Sequence, residues 1–88
     1  MNIEKLEKLK SGYRKEMIIK RDFVLRHLAC SKMHIEGESW KAAELHFKEM
    51  MEACHILHCL EASIRGCDWK ITEAKEKQCE LRPVGGAA

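Results

Sequence analysis

Proline is almost missing from this sequence, with Pro83 the only one in 88 residues. No helix before it therefore meets the residue that most reliably ends one. Glycine is also sparse, and two of the five, Gly85 and Gly86, come shortly after Pro83. Residues 83–88 accordingly read as a frayed tail behind one small helical domain over residues 1–82. Strand signals are also lacking: there is no alternating β-branched run and no Asn-Gly or Asp-Gly turn. The longest stretch without a charged residue is eight, residues 53–60, which excludes a membrane span. An excess of one sign of charge is absent too, since the formal net charge is only +2. That balance argues against a strong DNA binder and against a polybasic membrane binder.

The five cysteines are odd in number and follow no disulfide-scaffold spacing. No charged-then-apolar leader precedes them, so reduced thiols in the cytoplasm are the expectation. At 45% apolar and 34% charged, the chain is neither collagen-like nor disordered by composition. A small soluble helical protein is what these exclusions leave.

What is present agrees. Six acid–base pairs stand four residues apart with the acid first: Glu4/Lys8, Glu16/Lys20, Asp22/Arg26, Glu44/Lys48, Glu61/Arg65 and Glu73/Lys77. Each pair adds only ~0.2–0.5 kcal/mol to a helix, so their value is diagnostic. On a helical wheel Leu6, Tyr13, Met17, Val24, Leu28 and Ile35 fall within a stripe of roughly 60°. The stripe keeps its phase across Gly12, which predicts a kink or nothing there. After Ile35, Gly37 suits the residue just past a helix and Ser39 suits the N-cap of the next.

The second helix starts at Trp40, with Ala43, Phe47, Met50, Cys54, Leu57 and Ile64 on one face, flanked by Trp40 and Leu60. Two long helices with a short connection predict an antiparallel hairpin. Charge fits this pairing, because residues 1–36 carry nine bases and five acids and residues 37–88 carry seven and nine. Gly66, Cys67 and Asp68 supply a C-terminal glycine and an N-cap, which predicts a break and a shorter third helical segment. The alternative is one helix from Trp40 to Arg82 along Ile64, Ile71, Ala74, Gln78 and Leu81.

The most unusual string is Cys54, His55, Ile56, Leu57, His58, Cys59. On a helix, Cys54 with His58 and His55 with Cys59 stand one turn apart, and each pair is half of a tetrahedral zinc site. If the chain folds back at Gly66, Cys79 approaches His55 as a third ligand, and a symmetric dimer would supply the rest. Packing explains these residues more economically, since cysteine is a common core residue. His27, Cys30 and His34 form a second ligand-like set, and His46 opposes His27 in a hairpin. Cys54 and His58 have the spacing for an activated thiol, but there is no glycine-rich anion loop and no cleft expected between two helices. No enzymatic activity and no cofactor are expected.

A basic patch is conceivable from Lys10, Arg14, Lys15, Lys20 and Arg21, with Tyr13 beside it. Glu16 and Asp22 dilute it, so nucleic-acid binding is the second reading behind a solvated helix face. Surplus apolar surface is more informative. Ile19, Phe23 and Cys30 form a second ridge on helix one, and Leu45 and Ile56 lie off the main seam of helix two. Glu61 projects into the centre of the expected stripe. One hairpin contact does not cover both ridges: a third helix would cover one of them, and otherwise apolar surface left over on a small chain marks contacts with other chains. The expectation is an all-α interaction protein that acts as an adaptor, regulator or inhibitor. It docks on a larger protein through Ile19, Phe23, Cys30, Leu45 and Ile56, and is itself a homodimer.

Overall fold

The computed structural model describes residues 2–81, and the expected tail at 83–88 lies outside them. The fold is all-α: α1 spans Ile3–Glu36 and α2 spans Trp40–Leu81, with no strand among the described residues. The whole is a rod of 75 × 16 × 14 Å. Cross-helix contacts pair Lys10 with Asp68 and His27 with His46, so the two helices lie side by side and run in opposite directions.

Local chemistry sets the ends. Asn2 caps α1, its Oδ1 accepting the Glu4 N–H at 2.9 Å, and Glu4 places negative charge where the helix dipole favours it. At the other end the Ser39 N–H donates to the His34 carbonyl at 2.7 Å and the Glu38 N–H donates to the Ile35 carbonyl at 3.0 Å. These are the two bonds of a Schellman stop. The left-handed residue in it is Glu38, at φ 59°, and Gly37 sits at φ −86°. The glycine expected just past the helix is therefore one position early, because α1 runs through Glu36 and makes Gly37 its last half-turn.

The sides of the helices follow a strict three–four alternation. In α1 the seam is Ile3, Leu6, Lys10, Tyr13, Met17, Lys20, Val24, His27, Ser31 and His34; all are buried or half-buried. In α2 it is Ala43, His46, Met50, Ala53, Leu57, Leu60, Ile64, Cys67, Ile71 and Ala74, again all buried or half-buried. This is the heptad seam of a two-stranded coiled coil.

Two expectations are corrected here. No third segment separates from α2, which passes through Gly66 without a break. Gly66 is exposed, while Cys67 and Ile71 beyond it are buried at 5% and 6%, so the seam holds the helix together across a residue that costs ~1 kcal/mol. Gly12 is passed in the same way.

The seam also differs from the expected stripes. Leu28, Ile35, Phe47 and Cys54 are exposed, and His27, His34, His46 and Ala53 take their places inside. A straight helix drifts by ~20° per heptad against a 3.5-residue repeat, so a fixed-angle wheel slides off the seam within a few turns. Glu61 consequently lies beside the seam and pairs with Arg65. Of the six acid–base pairs, Glu4–Lys8, Glu61–Arg65 and Glu73–Lys77 form ion pairs, all on open surface.

Candidate interaction surfaces

Near the turn the seam is mixed, with His27, Ser31, His34 and His46 standing among the buried Ala43, Met50 and Ala53. His27 and His46 bring their Nδ1 atoms to 2.7 Å, a bond that needs one protonated nitrogen and one bare one. The His34 ring stacks on His46 at 5.2 Å between centroids, and Phe23 packs on His27 at 4.2 Å. Four rings thus form a ladder across the two helices. Ser31, one turn beyond His27, is 1% exposed and its Oγ has no hydrogen-bond partner. The pairing of His27 with His46 follows directly from opposing the helices at the turn.

Many of the large apolar side chains in this region lie outside the seam. Fourteen large hydrophobic residues are exposed among the described residues, and twelve of them fall between residues 18 and 56. Many of them lie on two flanks, one on each side of the seam. By heptad position the first flank carries Ile19, Phe23 and Cys30 from α1 and Ile56 from α2, while Leu45 lines a groove on the outer side of α2 with Phe47 and Met51. Of the five residues singled out as a docking ridge, Cys30 is half-buried and the others are exposed.

The second flank was not anticipated. Leu25, Leu28 and Ile35 of α1 line a groove with Phe47 of α2. Further along, Met17, Ile18 and Arg21 line another with Cys54, Leu57, His58 and Glu61. Both grooves lie on the same side, so an apolar strip runs along the turn half of the rod. The signal was in the sequence, because strict three–four spacing from Leu6 leads to His27 and His34 and leaves Leu28 and Ile35 outside.

The basic residues do not make one surface. Lys10 is drawn against α2, where it pairs with Asp68, and Lys20 is half-buried in the seam with its Nζ 5.9 Å from the Phe23 ring. Arg14, Lys15 and Arg21 remain exposed.

The cysteines and histidines of the second helix are likewise spread out. His55 Nε2 and Cys59 Sγ are 3.8 Å apart on open surface, while Cys54 and His58 line the second flank. Cys79 does not approach them: with α2 unbroken it lies 24 residues beyond His55, about 36 Å along the axis. Among the described residues no three such donors are grouped to hold a metal ion. No helix is long and apolar enough to cross a membrane among those described.

No protein-family model, curated protein or solved structure matches the chain.

Proposed function

We propose that this protein is a non-enzymatic interaction module, an antiparallel helical hairpin that docks on a larger protein as an adaptor, regulator or inhibitor. The concentration of exposed large hydrophobics between residues 18 and 56, beside a seam that holds histidines, carries the reading. A chain selected only to pair its own helices gains ~1.5–3 kcal/mol for each large apolar side chain it buries. Leaving Phe23 and Ile56 outside while His27 and His46 sit inside sacrifices that gain unless another surface covers them. The first flank is the proposed docking site, with Phe23 as anchor and Ile19 and Ile56 around it, since a ring held against a partner helix contributes most when fully desolvated.

The test is recovery of bound protein from the native host by tagged wild-type chain and by Phe23→Asp and Ile56→Asp chains, washed at low and high salt. A protein retained at high salt by the wild type and lost from both variants supports docking. Retention by the variants equal to wild type rejects this flank. Recovery of nucleic acid that washes away as salt rises, with no retained protein, favours the exposed Arg14, Lys15 and Arg21 instead.

A further inference from the structure

The second flank has its own occupant. We infer that it is covered by a second copy of this chain, giving a two-fold symmetric bundle of four helices in which α1 of each copy lies on α2 of the other.

Area is the first argument. A compact monomer of 10.2 kDa exposes roughly 5,300 Å². This chain exposes 7098 Å². The surplus is well above the ~800 Å² that each partner buries in a stable interface. The two grooves place apolar side chains on one side of the rod, in a strip from Ile18 to Ile35 on α1 and from Phe47 to Glu61 on α2.

Charge gives the second argument and fixes the orientation. On this flank α1 places Arg21, Lys32 and one acid, Glu36, beside the apolar strip, and α2 places Glu44 and Glu61, the latter also paired with Arg65. Arg21 and Glu61 line one groove, about a turn apart along the rod by the register of the two helices. Lys32 stands level with Glu44 by the register that faces His27 with His46 and Lys10 with Asp68. A two-fold axis parallel to the helices keeps those levels and sets α1 on the partner's α2, so each copy's bases meet the other's acids. The same symmetry lays Leu28 over the partner's Phe47. The competing arrangement, with the axis across the helices, sets α1 on α1 and brings basic rim against basic rim, a juxtaposition that opposes pairing.

Self-association on this flank leaves Phe23 and Ile56 free on the opposite one, so the dimer does not depend on the docking proposal and either can fail alone.

Light scattering and sedimentation of the full chain at about 100 μM decide it. The expected mass is twice that of one chain. Phe47→Asp is expected to yield a monomer that keeps its helical circular dichroism, while Phe23→Asp stays dimeric. Should Phe47→Asp fail to fold, charge exchange still discriminates. Lys32→Glu and Glu44→Lys, both on open surface, each weaken the dimer about threefold or more, and the two together restore it. A monomeric wild type overturns the inference, as does dissociation by Phe23→Asp with Phe47→Asp unaffected. Failure of the double exchange to restore what the single ones lose overturns the orientation.

Discussion

Far from the turn, Leu6, Cys67 and Ile71 are buried between the helices, with Ile64 and Tyr13 half-covered beside them. Near the turn the same seam holds His27, Ser31, His34 and His46, and Leu25, Leu28 and Ile35 are exposed. The far half follows the ordinary rule of apolar inside and polar outside more closely; the near half mixes buried Ala43, Met50 and Ala53 with histidines in the seam and leaves larger apolar side chains outside. Both halves are set by one three–four repeat, so the difference is a property of which residues occupy the repeat and not of a change in geometry. Both halves contribute buried apolar residues to the packing, and the near half in addition presents apolar surface. A chain of this size can do both because coiled-coil packing needs only a narrow stripe, which frees both flanks for other contacts.

The contrast is broken most severely at Ile71. Replacing it by Asp puts a charge at a position 6% exposed in the far half. The expected cost is ~3–5 kcal/mol, enough to abolish cooperative thermal unfolding followed by circular dichroism. Met33→Asp, at a position 69% exposed near the turn, should change stability by less than ~0.5 kcal/mol. Equal losses at both positions would mean that the near half is packed like the far one.

A smaller and opposite effect is expected at Ser31. Its hydroxyl is buried without a partner, a loss of ~1–3 kcal/mol relative to a hydrated or bonded one. Ser31→Ala removes that group and adds a better helix former, so the chain should gain ~1 kcal/mol in urea unfolding. A loss instead would show that the polar seam is stabilising in itself.

Much of this architecture was legible before any coordinates, and the illegible parts share a cause. The two helices and the turn were readable because acid–base pairs at four-residue spacing and the Gly37–Ser39 segment act locally. Gly66 was misread because its own chemistry favours a break and only the buried Cys67 and Ile71, facing α1, override it. The exchange of Leu28 for His27 in the seam was hidden for a similar reason: supercoiling shifts the phase by an amount that grows along the helix. The docking ridge was chosen as surplus to a stripe that itself had drifted. Ile19, Phe23, Cys30 and Ile56 still fall on one side by heptad position and Leu45 does not, while the strip with Phe47 is hidden by a fixed-angle wheel that places Leu28, Ile35 and Phe47 in the core.

The smallest predicted effect lies in the turn that joins the two helices. Glu38 holds the left-handed conformation at φ 59°, which costs a residue with a Cβ ~1–2 kcal/mol relative to right-handed backbone. Glycine carries no such strain but loses more freedom on folding, an opposing ~0.4–1 kcal/mol. Glu38→Gly should therefore stabilise the chain by ~0.5 kcal/mol net. Gly37→Ala provides the control. At φ −86° its new methyl would lie 3.5 Å from the Met33 carbonyl oxygen, ordinary contact, so the substitution should be neutral or slightly stabilising. Had Gly37 been the left-handed residue, both substitutions would destabilise, one by forcing a side chain into that conformation and the other by freeing the unfolded chain without relieving strain. Paired denaturant melts of the two variants, read for sign, therefore report which residue stops α1.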